Sequence, residues 1–249
     1  MEKSNNILMI VFIAGIILIA VILVLNSGNV KVISGPEQKN SISVSGNAKL
    51  EVEPDQAEVF LRIETFNEKA DNAKNENAKI SDTVVKALKK EGIKDNEIET
   101  ASFYLSPRYR WDQNSNKNIL EGYTATKILK VTTTEIEKAG KLIDTAVDSG
   151  ANGVDSVRFG LTKEKQKEVS GEALVRASQV AKEKAESLAN SVGVNLGKVI
   201  SIQESNFNYV TYDYAPRADM MEMAKSAPTQ IEPGKVEVDA FVSMAYEIK

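Results

Sequence analysis

Three acidic residues alternate along one short stretch and are the first candidates for chemistry. Asp95, Glu97 and Glu99 are separated by Asn96 and Ile98, so on a β-strand their side chains would line one face. Carboxylates on one face would suit a hard cation, which prefers oxygen ligands. We favour the competing interpretation, a solvated strand edge, because neighbouring like charges repel each other.

Other reactive groups are few, because the chain contains no cysteine and no histidine. Their absence excludes a thiol nucleophile, a disulfide, an imidazole base and a Ser-His triad, together with metals held by either residue. Carboxylate, lysine, tyrosine or serine chemistry and hard metals held by oxygen are still available, and the alternative that we keep is an enzyme that uses carboxylate or lysine chemistry, with Lys184 or the acids at 95–99. No nucleophile stands beside a base in the sequence, so we predict a non-enzymatic protein without a catalytic, cofactor-binding or metal-ligating residue.

A first aromatic group is a candidate interaction site. It combines rings with two arginines, and Tyr, Trp and Arg favour interfaces, so it could bind a glycan or a partner. Packing in the core and within a hairpin is an equally good explanation of these residues. The group consists of Phe103, Tyr104, Arg108, Tyr109, Arg110 and Trp111. We take Tyr109 and Trp111 as possible interaction residues.

A second aromatic group lies in Ser205–Gly234, a long connection without obvious strands, and such connections are usually functional or disordered. Its methionines could take Cu(I) or be oxidised by peroxide, because a thioether is soft and reversibly oxidisable. We favour adaptable packing in a flap or a subunit contact. The possible interaction residues here are Tyr209, Tyr212, Tyr214, Met220, Met221 and Met223.

Two turns have both a functional and a structural interpretation. The run Gly150–Gly153 could bind an anion through backbone amides, but a helix cap followed by a tight turn is the interpretation we favour. Asp55 after Pro54 could offer a carboxylate to a metal, whereas a lone acid beside proline usually forms a turn or a cap. We therefore expect both to be structural.

The elements that position these residues begin with a membrane segment. Residues 7–25, ILMIVFIAGIILIAVILVL, carry no polar side chain and as a helix would be about 28 Å long, close to the hydrocarbon thickness of a bilayer. The run is longer than that of a cleaved signal peptide, so we predict an uncleaved signal anchor. We predict residues 1–6 as a cytoplasmic tip, 26–40 as a linker, and a domain over 41–249 outside the cell membrane.

The domain alternates strands and helices, which predicts an α+β fold with a largely antiparallel sheet and helices packed on one face. A polar hairpin tip at 112–118 should be exposed and mobile. Period-two and helical spacings predict strands at 41–49, 57–66, 98–111, 120–134, 154–161, 198–204 and 236–248, and helices at about 73–92, 135–149 and 163–192.

The last of these helices carries alanine at a strict four-residue interval. Alanine allows a neighbouring backbone to approach closely, so this helix should pack tightly. We favour packing on its own sheet over contact with another subunit. The ladder consists of Ala173, Ala177, Ala181, Ala185 and Ala189.

The overall charge argues against a nucleic-acid partner. The 249 residues include 31 basic and 35 acidic side chains, a net charge of −4. Nucleic-acid binding usually needs a concentrated positive field, which this balance does not supply.

Ordered positions run through nearly the whole segment from Ser41 to Lys249. They are Gly46, Pro54-Asp55, Ala57, Thr100, Pro107, Tyr109, Gly122-Tyr123, Gly150-Ala151-Asn152, Phe159, the alanine ladder with Lys184, Gly193, Leu196-Gly197, Ile231 and Pro233-Gly234. In their joint order and spacing they resemble the SIMPL-domain family, extracytoplasmic proteins often described as oxidative-stress defence proteins.

The resemblance implies an exported α+β domain with a role in stress tolerance or envelope integrity and a tendency to assemble. It implies no defined reaction, and we carry no property of the family over to Ser205–Gly234 or to the asparagine-rich hairpin tip. We therefore expect a membrane-anchored, self-associating binding or protective module, with an enzyme as the alternative.

Overall fold

The computed structural model describes residues 40–204, 208–214 and 229–249. The predicted cytoplasmic tip, the anchor at residues 7–25 and nearly all of the linker lie outside these ranges. Of the helices within them, none is both long enough and apolar enough to cross a bilayer.

The observed elements follow the predicted order, with nine strands and three α-helices among the described residues. Two short 3₁₀ turns, Asp95–Glu97 and Ile136–Lys138, precede the third strand and the second α-helix. The strands are β1 (Ser41–Val52), β2 (Gln56–Asn67), β3 (Ile98–Asp112), β4 (Lys117–Thr133), β5 (Gly153–Gly160), β6 (Leu196–Glu204), β7 (Asn208–Val210), β8 (Tyr212–Tyr214) and β9 (Val236–Ile248). The helices are α1 (Ala70–Lys90), α2 (Ala139–Asp148) and α3 (Lys163–Ser191).

The strands form two antiparallel sheets, whereas we expected one. The first has the order β1-β9-β6, with β7 also paired to β9, and the second has the order β3-β4-β2-β5-β8. Alternation shows which side chains of a strand face the core but not which strand lies beside it. Residues 53–55, between β1 and β2, thus connect two sheets rather than two neighbouring strands of one sheet. Strand β1 pairs along its whole length with β9.

The first sheet packs against the alanine ladder of α3. All five ladder alanines are buried, and the first four pack with buried residues of β1 and β9 such as Val44 and Val242. Gly46 allows the closest approach, because a Cβ there would lie 2.6 Å from the amide nitrogen of Ala181 and closer still to the carbonyl oxygen of Ala177. The prediction that this helix packs on its own sheet is confirmed.

The second sheet packs against α1 and α2. Val59, Leu61 and Ile63 of β2 are fully buried at its centre, together with Leu88 of α1 and Leu142 of α2. Each such side chain contributes about 1.5–3 kcal/mol by leaving water. Because β4 and β5 are both antiparallel to β2, they run parallel to each other, and α2 makes the crossover between them.

Candidate interaction surface

The β3–β4 hairpin extends beyond the rest of its sheet. Strand β4 pairs with β2 only from Tyr123 onward, while residues 117–122 pair with β3 alone. We call the projecting part, residues 107–122, the arm. Every residue from 113 to 120 is exposed, while Asp112 is partly buried, so the predicted exposure of the tip is confirmed for all its residues but Asp112.

One side of the arm displays the predicted interaction residues Tyr109 and Trp111. Tyr109 lies opposite Leu120, and Trp111 lies opposite Asn118, so these four side chains share one side of the hairpin. We call these four residues the aromatic face. Tyr109 is 57 % exposed and Trp111 is 54 % exposed, so neither ring is needed to fill a core.

The opposite side of the arm is charged. Glu121 is the residue at the β-bulge between the pairs of Arg108 and Tyr109, and its carboxylate lies 3.1 Å from Nε of Arg108 and 3.7 Å from Nε of Arg110. The Arg108 guanidinium also lies 5.1 Å from the centre of the Phe66 ring. Arg108 therefore holds the arm against its own sheet and Arg110 pairs within the arm, while the two rings point the other way.

A carboxylate closes the turn at the end of the arm. Asp112 accepts hydrogen bonds from the amide nitrogens of Asn114 and Ser115 and, at 2.6 Å, from the Ser115 hydroxyl. The bond from the Ser115 hydroxyl is the main reason why the pKa of Asp112 is lowered from its ordinary value of 3.8. Asn116 adopts a φ of 53°, a conformation that asparagine tolerates, so the turn forms without glycine.

The three alternating acids do not line one face of a strand. Asp95 and Glu97 belong to a 3₁₀ turn rather than a strand, and within the described ranges no three acidic side chains come together as metal ligands. Asp95 pairs with Lys89, and the Glu97 carboxylate accepts a bond from the amide of Lys94. The hydrogen bond to Glu99 is the main reason why the pKa of Lys130 is raised.

Lys184 has a structural partner in the first sheet. Its ammonium donates to the carbonyl oxygen of Ser45, 2.9 Å away, beside a shallow groove between α3 and β1. A lysine that covers the backbone of an edge strand hinders pairing with another chain. The contact gives Lys184 a structural role between α3 and β1.

Both candidate turns are structural, as expected. Asp55 accepts hydrogen bonds from the amide (2.6 Å) and the hydroxyl (2.7 Å) of Thr162, the N-cap residue of α3. The side chain of Asn152 accepts a hydrogen bond from the amide of Glu64 and donates one to its carbonyl oxygen, two residues beyond Arg62, where β2 stops pairing with β5. Gly150, with a φ of 112°, ends α2. Asp55 thus joins the β1–β2 connection to the start of α3.

The second aromatic group lies only partly within the described residues. Tyr209 is half-buried, and its hydroxyl accepts a hydrogen bond from the amide of Leu161. Burial is the main reason why its pKa is raised. The backbone of Tyr212 and Tyr214 forms β8, which pairs with β5, so a segment we expected to be irregular contains two short strands. Met220, Met221 and Met223 lie outside the described ranges.

A second exposed apolar region was missed by sequence reasoning. Val199, Ile200 and Ile202 of β6 are 44–61 % exposed, and within the described ranges no strand pairs with the outer edge of β6. Apolar residues at 199, 200 and 202 break the period of two, so the pattern does not separate a core face from a wet face. Counting large apolar residues on a strand beside a long connection could have found this edge.

Comparison with known proteins connects this fold to a family. The sequence profile described as SIMPL, protein of unknown function (DUF541), matches residues 42–246. The 26 kDa periplasmic immunogenic protein of Brucella melitensis is 30 % identical over 219 residues, which cover 85 % of this chain and 86 % of that protein.

Two further relatives are described as uncharacterized protein YggE. The protein from Edwardsiella ictaluri is 30 % identical over 189 residues, 75 % of each chain. The protein from Escherichia coli K12 is 26 % identical over 212 residues, 84 % of this chain and 83 % of that protein. With a profile match across nearly the whole folded segment, the chain belongs to the SIMPL (DUF541) family.

Proposed function

We propose that this protein is a membrane-anchored, extracytoplasmic module that self-associates, binds a partner in the cell envelope and catalyses no reaction. The observation that carries the binding role is the aromatic face. Its two rings are more than half exposed on an arm that extends beyond the sheet, and exposed Trp and Tyr side chains supply much of the energy at binding surfaces.

The location is supported by two separate observations. The apolar run at residues 7–25 has the length of a membrane-spanning helix. The Brucella relative is described as periplasmic, and its match covers most of both chains. Both agree with a folded domain held outside the cell membrane by an N-terminal anchor.

Self-association is supported by the sheet edges. Among the described strands, none pairs with the outer edge of β3 or of β6, and both edges carry exposed apolar side chains such as Phe103 and Ile202. Such an edge can pair with a strand of another chain. Since α3 is covered by its own sheet, the edge of β6 is the better candidate for a contact between copies.

The charged residues give little support to an enzyme. Lys184, Asp95, Glu97 and Glu99 each have a structural partner, and the acids do not converge. The protective role in envelope or oxidative stress rests on the family resemblance. This protective role predicts that cells lacking the protein are more sensitive to peroxide or to envelope-disrupting agents.

Light scattering on residues 26–249 across a concentration series tests the self-association. We expect a discrete oligomer, and we expect Ile202→Lys to shift it toward monomer, because a charge on the edge opposes pairing. Val175→Lys is the matched control, since Val175 is 68 % exposed on α3. A monomer at every concentration would contradict self-association, and an equal effect of the control would contradict the choice of edge.

A further inference from the structure

The side of the hairpin that bears the aromatic face is uncharged from the end of the arm down to the pair of Leu105 and Ala125, and the next pair brings in Lys127 opposite Phe103. From Leu105 to Trp111 the odd-numbered residues of β3 point to this side, opposite uncharged partners on β4. From Leu105 to Trp111 the strip is about 20 Å long at 3.4 Å per residue. Its members on β3 are Leu105, Pro107, Tyr109 and Trp111.

Two rings dominate the end of this strip. The Cα atoms of Tyr109 and Trp111 are about 7 Å apart, as for any residues two positions apart on a strand. Leu120 lies opposite Tyr109 and is 46 % exposed. Together these side chains form an apolar surface that a flat ligand can cover by dispersion contacts.

Neutral amides border the rings. Gln113, Asn114 and Asn116 form the exposed turn, and Asn118 lies directly opposite Trp111. A side-chain amide both donates and accepts hydrogen bonds. It therefore suits a ligand whose polar groups do the same, and it does not favour either sign of charge.

We propose that the aromatic face, together with the amides of the turn, binds a neutral, extended polysaccharide chain. A sugar ring has an apolar C–H face that can lie on Tyr109 and Trp111, and hydroxyl groups at its rim that match the amides. This inference rests on the proposed function, because it names the ligand class of the same surface.

Two other occupants fit the observations less well. Entry into a bilayer would bring the polar residues 112–117 toward lipid, and the Asp112 carboxylate would lose water on entering hydrocarbon. A second copy of the chain would bury the same amides, and each would need a partner to avoid an unsatisfied buried group. Both occupants are outcomes of the experiment below.

Trp111 is the only tryptophan in the chain, so its fluorescence reports directly on this surface. The full chain, held in a detergent without a sugar headgroup, is titrated with cellotetraose and with chitotetraose, and glucose and N-acetylglucosamine serve as monomer controls. We expect a saturable shift of emission to shorter wavelength with at least one tetrasaccharide. Tyr109→Ala should weaken that binding at least about tenfold, as for a residue central to an interface.

Tyr104→Ala is the matched control, because Tyr104 is 61 % exposed on the same strand but points to the opposite side. It should leave the affinity unchanged. Because Trp111→Phe removes the fluorophore, the saccharide affinity of that variant is measured by calorimetry. Circular dichroism checks that each variant is folded. An effect of Tyr104→Ala equal to that of Tyr109→Ala would overturn the assignment of the face.

Three other results would also overturn the proposal. They are no saturable response to either tetrasaccharide, a shift that appears only with phosphatidylcholine vesicles, and a shift produced by raising the protein concentration alone. Light scattering on the same samples separates this inference from the proposed self-association. An oligomer that does not respond to saccharide would contradict only the polysaccharide proposal. A monomer that does respond would contradict only the proposed self-association.

Discussion

Two regions of the molecule use side chains of opposite size. One is the contact between α3 and β1, and the other is the arm of the β3–β4 hairpin. In the contact, alanines and Gly46 bring a helix and a sheet so close that no larger group fits. On the arm, Tyr109 and Trp111 present large rings that the fold leaves more than half exposed. Small residues in the contact determine how closely the helix approaches the sheet, while the large rings of the arm remain exposed to solvent.

The largest expected effect comes from filling the close contact. Gly46→Val should prevent folding or cost more than about 3 kcal/mol of unfolding free energy, because backbone atoms of α3 occupy the space of the new side chain. Chemical denaturation of residues 26–249 measures it. Gly171→Ala is the control, since nothing lies within 4 Å of a Cβ there, and it should stabilise α3 by about 1 kcal/mol. Normal stability of Gly46→Val would show that α3 does not approach β1 so closely.

A medium effect is expected where the two sheets are joined. Asp55→Ala removes the acceptor for both the amide and the hydroxyl of Thr162 and should cost about 1–3 kcal/mol. The exposed ion-pair residue Asp71 provides the control, since Asp71→Ala should change stability by less than about 0.5 kcal/mol. Equal effects in denaturant titrations would argue against a special role for Asp55.

The arm should tolerate loss of its rings. Trp111→Ala and Tyr109→Ala should each change the unfolding free energy by no more than about 0.5 kcal/mol, as for surface substitutions outside a core. Denaturation followed by circular dichroism gives the values. A loss of 2 kcal/mol or more in either variant would mean that the ring packs on its own chain. The arm would then not differ from the α3–β1 contact in the way described above.

The smallest effect is local and depends on pH. Because the pKa of Asp112 is lowered in the folded turn, its hydrogen bonds stabilise the turn above the ordinary value of 3.8 and are lost as the pH falls through the lowered value. Trp111 emission should therefore change between about pH 5 and pH 2, before global unfolding. Asp112→Asn should abolish this change, and an identical titration in that variant would show that another group is responsible.

Much of this organisation could be predicted from spacing alone. The period of two in Val236–Ile248 and the alanine ladder of α3 identified their elements and buried faces, because burial on one face imposes its own period on the sequence. Side-chain roles at turns were also predictable, as Asp55 and Gly150 show, since few residues suit a cap or a positive φ.

Strand partners and exposed surfaces could not be predicted in the same way. The pairing of β1 with β9 joins residues about 200 positions apart, and no local pattern encodes such a neighbour. The aromatic group at 103–111 had two equal interpretations, because an exposed ring and a packed ring have the same local sequence. Only the register, which extends β3 and β4 beyond β2, separates Tyr109 and Trp111 from the core.

Acrylamide quenching of Trp111 fluorescence tests the central claim most directly, because the single tryptophan of the chain belongs to the aromatic face. In the dilute full chain, we predict quenching that approaches the value in denaturant and is unaffected by Tyr104→Ala. Strong protection of Trp111 in the dilute, folded protein would contradict the account, since the ring would then be covered by its own chain and unavailable to a partner.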